Sequence, residues 1–140
     1  MKPYEFKEHT ADIIARAYGD TLGEAFAAAA RAMFDLIASG AEIRMVEEHK
    51  IEVESIDIEG LLVTFLSDLI VLHETENMVF DQFQVTLDGD RKLSAVCRGE
   101  KFDPKRHGGG TSVKGVSYHL MEIEKGDNRG PCHVQVLFDI

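Results

Sequence analysis

The chain has 140 residues, a formal net charge of −10 at pH 7 and two cysteines, Cys97 and Cys132. A chain of this length is expected to form a single domain, residues 1–140, whose core needs no disulfides. The acidic balance disfavours direct nucleic-acid binding, because proteins that bind phosphate backbones cluster Lys and Arg. No charged-then-apolar leader is present, and the apolar run at residues 61–72 is too short for a bilayer. A soluble, cytoplasmic protein without membrane contact is expected.

The first predicted elements are a strand and an Ala-rich helix. Residues 12–18 alternate loosely between apolar and polar side chains and end at Gly19-Asp20, which indicates a strand and a turn. Thr21 and Glu24 then have the spacing of a capping box, in which the Thr hydroxyl accepts an N–H three residues on and the Glu reaches back. The helix is predicted to end at Ala38.

A second strand and helix follow. Residues 50–56 alternate polar and apolar side chains, as in a strand with one solvated face. Asp57 is placed to cap a helix over residues 59–74. Because this helix is apolar over most of its circumference, it is predicted to be deeply packed and to be the central helix.

The second half of the chain is β in character. Four further strands are predicted, at residues 79–87, 93–98, 112–123 and 134–138. Turns are expected at 88–90 and 126–128, and the loop 103–110, which ends in three glycines, is expected to be a flexible connector. Strands and helices segregate rather than alternate, which predicts an α+β fold. Two helices pack on a largely antiparallel sheet, with a mixed sheet left open.

Acidic groups near the two ends of the chain form the sharpest candidate site. If the ends meet, the carboxylates of Asp12 and Asp139 and the α-carboxylate of Ile140 converge. Ca²⁺ and Mg²⁺ take several oxygen ligands of this kind. The pattern leaves open the alternative that Asp12 caps a turn and Asp139 is a solvated chain end.

Two basic residues, His9 and Lys114, have open roles. His9 is expected to orient Asp12, to act as a base or to hydrogen-bond a backbone carbonyl, with the structural role favoured. Lys114 is predicted to lie on the strand face opposite Val113 and Gly115. A lysine there is ordinarily a solvated strand residue. It has a functional role only if an acid or phosphate of a partner contacts it.

Other chemistries find less support in the sequence. A zinc site built on Cys97, Cys132 and His133 lacks the paired C-x₂₋₄-C spacing of such sites. The glycines at 108–110 precede a strand and lack the Gly-Lys-Ser/Thr ending of a phosphate-binding loop. The chain therefore offers a cation site more readily than an active site.

Seven segments, in order along nearly the whole chain, resemble the archease family. They are His9-Thr10-Ala11-Asp12, Ala17-Tyr18-Gly19, Thr21-Leu22-x-Glu24-Ala25-Phe26, residues 69–76, Gly99-Glu100-x-Phe102-Asp103-Pro104-x-Arg106-His107, Lys114-x-Val116-x-Tyr118-His119 and Phe138-Asp139-Ile140. Two positions depart from the family pattern: Gly115 stands where Ala is usual, and Phe65 stands where Trp is frequent. Neither is among the expected ligands.

The resemblance implies a protein cofactor of the tRNA-splicing RNA ligase, the Mn²⁺- and GTP-dependent enzyme that joins 2′,3′-cyclic phosphate and 5′-hydroxyl RNA ends. Such a cofactor promotes guanylylation of the ligase and multiple turnover without joining RNA itself, and it meets GTP or RNA only through the ligase. The family's divalent cation, Ca²⁺ with Mg²⁺ or Mn²⁺ as alternatives, maps onto Asp12, Asp139 and Ile140. Its functional lysine maps onto Lys114, which is expected, together with His9, to contact the ligase or its nucleotide.

Two rival functions remain open at this stage. A chaperone-like module that modulates partner assembly would need an exposed apolar patch and would be insensitive to Asp12. A small metal-dependent hydrolase would use Asp12 and Asp139 as ligands and His9 as base. The lack of any other convergent acid weakens the hydrolase.

Overall fold

The structure, a computed structural model, describes residues 3–9, 12–126 and 131–140. Within these ranges the elements are β1 (Tyr4–His9), β2 (Asp12–Gly19), α1 (Leu22–Ile37), β3 (Glu47–Glu54), α2 (Ile58–Glu76), β4 (Met78–Asp88), β5 (Lys92–Lys101), α3 (Pro104–His107), β6 (Gly115–Glu124) and β7 (Cys132–Asp139). Thr10, Ala11 and part of the turn expected at 126–128 lie outside the described residues.

The strands form two sheets rather than one. A four-stranded sheet has the order β1-β2-β7-β6 and a three-stranded sheet the order β3-β5-β4. Every strand pair in the described part of the chain is antiparallel, so the mixed alternative is not realised there. Residues from both sheets and both long helices join one hydrophobic core cluster, which confirms the predicted α+β class.

Strand β1 was not predicted. Its sequence does alternate, with Tyr4 and Phe6 separated by charged residues, but it is a short edge strand whose pairing comes from the hairpin with β2. The Tyr4 hydroxyl donates a hydrogen bond to the Asp35 carboxylate on α1. This bond ties the edge of the four-stranded sheet to the helix beneath it.

Helix α1 begins as the sequence predicts. The Thr21 hydroxyl accepts the Glu24 N–H at 3.2 Å, and the Glu24 carboxylate accepts the N–H of Asp20 at 3.0 Å. The helix packs on β2 and β7 of one sheet and on β4 of the other, and its alanines let both sheets approach closely. Ten of the 16 residues of α1 are buried, against eight of the 19 residues of α2. Helix α1 is therefore the more deeply buried helix, and the prediction that α2 is central is wrong.

Helix α2 is capped by Asp57, whose carboxylate accepts the Gly60 N–H at 2.7 Å. It ends at Asn77, which adopts the left-handed conformation (φ 57°) that closes many helices. The helix packs mainly against β6 and β3 and so also bridges the two sheets.

The loop 103–110 is anchored rather than flexible, which corrects the sequence prediction. Asp103 caps the short helix α3 by accepting the Lys105 N–H at 3.0 Å, and His107 is fully buried. A Cβ on Gly110 would lie 2.1 Å from the carbonyl oxygen of Ile37. Glycine is therefore required for close backbone approach and not for mobility.

Candidate cation site at the end of the four-stranded sheet

The structure brings Asp12 and Asp139 together. They are direct partners in the register of β2 and β7, so the last strand of the chain is paired inside the sheet up to Asp139. Residues directly opposite each other on antiparallel strands have Cβ atoms about 4.5–5.5 Å apart on the same face. The two residues, called here the acidic pair, thus present their carboxylates side by side.

The acidic pair belongs to a row that crosses all four strands. His9 is the register partner of Asp12 on β1, and Gly115 is the register partner of Asp139 on β6. The His9 backbone lies in this row, whereas its side chain is outside the described part of the structure. A Cβ on Gly115 would meet an Asp139 carboxylate oxygen at 3.5 Å, an ordinary contact, so an alanine also fits there.

The acidic pair lies on the outward face of the four-stranded sheet. Side chains alternate between faces along a strand, and the neighbouring positions Ala15, Val136 and Phe138 are fully buried against the helices. Asp139 is exposed and Asp12 is half-buried. A hydrated cation can therefore reach the pair from solvent.

Lys114 lies immediately before β6, which begins at Gly115 rather than at Ser112 as the sequence predicted. The predicted alternation holds nevertheless, since Val113 is buried and Lys114 is exposed. The Lys114 N–H donates to the carbonyl oxygen of Asp139 at 2.7 Å. The lysine side chain therefore starts from a backbone position fixed beside the acidic pair.

The carboxylate oxygens at this site suit a hard cation that takes few ligands from the protein and the rest from water. No group of three or more His, Cys, Asp or Glu side chains with metal-binding geometry occurs among the described residues. The acidic pair supplies two carboxylates, and Ile140 follows Asp139 directly in the chain. Two carboxylates on adjacent strands can bind one hard cation from the same side, with water completing its coordination.

The cysteines do not assemble a metal site. Cys97 lies on β5 of the three-stranded sheet and Cys132 on β7 of the four-stranded sheet, and both are buried. Burial raises the pKa of the Cys97 thiol to about 12, so it stays protonated at neutral pH. The zinc alternative gains no support from the described residues.

Sequence reasoning missed a buried ionic cluster formed by Glu100, Arg106 and His107, called here the Glu100 cluster. Glu100 is only 6% exposed. Its carboxylate accepts hydrogen bonds from the Arg106 guanidinium and from the Arg44 N–H at 2.6 Å, and it contacts His107 Nε2 at 3.1 Å. Burial alone would raise the pKa of Glu100, but the Arg106, Arg44 and His107 bonds outweigh it and hold the pKa at about 2.

The Glu100 cluster makes stability depend on pH in the acid range. The folded-state pKa of about 2 lies below the ordinary glutamate pKa of 4.5, so folding favours the ionised carboxylate. This stabilisation is fully present above pH 4.5 and is expected to disappear as the pH falls from 4.5 towards 2. Urea unfolding midpoints measured across this range should fall more steeply for the wild-type protein than for Glu100→Gln. Equal slopes would contradict the assignment.

Comparison with known proteins agrees with this architecture. The model of the archease protein family matches residues 4–140. The chain is 45% identical over 128 residues to the protein archease of Pyrococcus abyssi, covering 89% of this chain and 90% of that one. It is 47% identical to the Pyrococcus furiosus protein archease over the same length and the same shares of both chains.

Solved structures show the same fold. The solution structure of Methanobacterium thermoautotrophicum protein 1598 superposes with a TM-score of 0.80 at 35% identity and covers 100% of both chains. A Thermotoga maritima crystal structure, described as an archease and possible chaperone, shares the fold with a TM-score of 0.61 at 22% identity, covering 96% of this chain and 94% of that one. None of the helices in the described part of the chain has the length and apolarity to cross a membrane. The match along the whole chain, including the segments that carry the acidic pair, means that the protein belongs to the archease family.

Proposed function

We propose that this protein activates the GTP- and Mn²⁺-dependent tRNA-splicing RNA ligase by promoting guanylylation of the ligase and hence multiple turnover. It is a protein cofactor and not itself an enzyme. The observation that carries the proposal is the acidic pair: two carboxylates opposite each other at the accessible end of a sheet, with Lys114 hydrogen-bonded through its backbone to Asp139. This arrangement supports binding of a cation and contact with a charged nucleotide more readily than catalysis.

The proposed cofactor is a divalent cation, Ca²⁺ first and Mg²⁺ or Mn²⁺ as alternatives, held by Asp12, Asp139 and the terminal carboxylate of Ile140. Such cations favour carboxylate oxygens and complete their coordination with water or backbone carbonyls. Lys114 and His9 are proposed to contact the ligase or its nucleotide. A lysine beside a cation is suited to stabilising the charge that develops as GTP reacts.

The charge of the protein fits this role. A net charge of −10 repels RNA, so an acidic activator does not compete with the substrate of the ligase for its phosphate-binding surface. The same charge attracts the protein to an active site that holds metal ions. RNA and GTP are then reached only through the ligase, in the cytoplasm, where the ligase acts.

The test is RNA joining by limiting cognate ligase with GTP and Mn²⁺, using 2′,3′-cyclic phosphate and 5′-hydroxyl ends. We expect the wild-type protein to support more than one product per ligase and Asp12→Ala to lower the stimulated rate of joining at least about tenfold, a barrier change of about 1.4 kcal/mol. The matched control is Asp88→Ala, which removes an exposed acid from β4 of the other sheet.

Each result separates the proposal from its rivals. Full stimulation by Asp12→Ala would mean that the acidic pair is not required for activation of the ligase. No stimulation by the wild-type protein would favour the chaperone-like module, which is insensitive to Asp12. Turnover of phosphoesters by the purified protein with Mg²⁺ or Mn²⁺, without ligase, would favour the hydrolase.

A further inference from the structure

Strand β6 contains an unusually large bulge. Ser117 pairs with Leu137 and Glu122 pairs with Gln135, so the four residues Tyr118–Met121 stand opposite a single residue of β7. An ordinary β-bulge inserts one extra residue. The segment Tyr118–Met121, called here the β6 bulge, therefore projects from the edge of the four-stranded sheet.

The β6 bulge is held by specific hydrogen bonds. The side-chain amide of Gln135 donates to the carbonyl oxygen of Leu120 at 2.9 Å, and the His119 N–H donates to the Ser117 hydroxyl at 3.0 Å. Gln135 is in turn bonded by the Arg16 guanidinium at 2.8 Å, which also contacts Glu122 at 2.9 Å. The projection is thus a built feature of the sheet edge and not a frayed end.

The backbone of the β6 bulge is strained at an apolar residue. Leu120 has φ 59°, in the left-handed region that bulky side chains rarely adopt. The other described non-glycine residues with positive φ, Ser39 and Asn77, lie at the ends of α1 and α2, where this conformation is common. Leu120 instead adopts it within the β6 bulge, where a left-handed residue accommodates the extra chain. Backbone strain of this kind clusters at functional sites.

The β6 bulge exposes two apolar side chains to solvent. Tyr118 is 59% exposed and Leu120 is 46% exposed. Tyr, with a large contact area and few rotatable bonds, is enriched at the centres of protein interfaces. An aromatic and an aliphatic side chain presented on a rigid projection have the character of an anchor for a pocket in another protein.

The β6 bulge lies on the same face of the sheet as the acidic pair. Gln135, whose side chain reaches the bulge, and Asp139 are four residues apart on β7 and therefore point to the same side, about 13 Å from each other. Glu122, at the end of the bulge, is paired with Arg16 at 2.9 Å, so the charge argument rests on the net charge of −10 of the whole chain. This net negative charge disfavours RNA and suits a protein pocket with a basic rim.

We propose that the β6 bulge is the affinity anchor of the protein, with Tyr118 and Leu120 inserted into an apolar, basic-rimmed pocket of its protein partner. The inference rests on the proposed function, which makes that partner the RNA ligase. The bulge supplies binding, and the acidic pair supplies the effect on the reaction. The two parts act about 13 Å apart on one face, so a single docking event engages both.

Two variants remove the anchor without threatening the fold. Leu120→Gly deletes the side chain and also relieves the strain, because glycine adopts positive φ freely, so this variant should unfold at the same or a higher temperature. Tyr118→Ser removes an exposed ring. The matched control is Ile56→Ser, since Ile56 is 86% exposed on the loop before α2.

The measurements are the Kd for the purified ligase, by calorimetry or interferometry, and the concentration of activator that gives half-maximal RNA joining. We expect both to rise about tenfold in Leu120→Gly and in Tyr118→Ser, with maximal stimulation retained at saturation. Ile56→Ser should match the wild-type protein. Asp12→Ala should show the reverse pattern, with Kd retained and stimulation lost.

The outcomes distinguish failure of the anchor from failure of the proposed function. If the wild-type protein stimulates the ligase and both bulge variants bind with unchanged Kd, the anchor is rejected and the proposed function stands. If the wild-type protein neither binds nor stimulates the ligase, both are rejected. If a fluorescent single-stranded RNA binds the free protein and Leu120→Gly abolishes that binding, the bulge contacts RNA and the anchor is again rejected.

Discussion

Addition of Ca²⁺ is expected to raise the melting temperature of the wild-type protein, and Asp139→Asn is expected to abolish most of that rise. A ligand that binds only the folded state stabilises it by about 2.7 kcal/mol at 100 times its Kd. For a domain of this size that corresponds to a shift of roughly 8 °C. The physical reason is the register of β2 and β7, which places the carboxylates of Asp12 and Asp139 side by side.

Three comparisons make this test specific. Asp12→Asn should lose the response to the same extent as Asp139→Asn, whereas Asp88→Asn, an exposed acid of the other sheet, should keep it. In the absence of any divalent cation, Asp139→Asn should melt close to the wild-type protein, because Asp139 is an exposed residue. A melting temperature unchanged by millimolar Ca²⁺, Mg²⁺ and Mn²⁺ would contradict the cation site.

The local elements were predictable because their causes are local. Thr21 and Asp57 cap α1 and α2 through hydrogen bonds that span three residues, and both were identified from spacing alone. The strands β4, β5 and β7 were recognised because their alternation and flanking turns lie within a short window. Errors at these elements amount to shifts of a few residues at their ends.

The sheet order and the acidic pair depend on contacts between distant parts of the chain. Asp12 and Asp139 are neighbours only because β7 inserts between β2 and β6, which no local pattern specifies. The two ends of the chain had to be assumed to meet. With that assumption the residues suggested a cation site but left open a turn cap and a solvated chain end, and the resemblance to the archease family favoured the ligand role.

The Glu100 cluster was missed because the usual rule places glutamates at the surface. A buried carboxylate becomes predictable only when its partners are known, and these come from α3 and from the backbone of Arg44. The glycines that follow were read as a sign of flexibility. In the structure Gly110 instead permits close packing on the end of α1.

Glu100→Gln is expected to lower the free energy of unfolding by about 2–3 kcal/mol. Removing one partner of a fully buried ion pair costs about 3–5 kcal/mol, because the other charge is left without solvent. The loss expected for Glu100→Gln is smaller, because the Arg106 side chain still reaches water. A neutral amide also accepts weaker hydrogen bonds than a carboxylate from Arg106 and from the Arg44 N–H. Urea unfolding at pH 7 measures the difference.

The same sheet contains the matched control. Glu48 pairs with Arg98 at 2.9 Å, but both side chains are substantially exposed, so Glu48→Gln should cost less than about 1 kcal/mol. Equal losses in the two variants would mean that the burial of Glu100 contributes no stability.

The Glu100 cluster holds the start of the segment that leads through Gly110 to Lys114, so Glu100→Gln should also weaken stimulation of the ligase more than Glu48→Gln does. Because Thr111 remains bonded to Leu36 at 2.8 Å, the loop is held at a second point, and the loss should be partial.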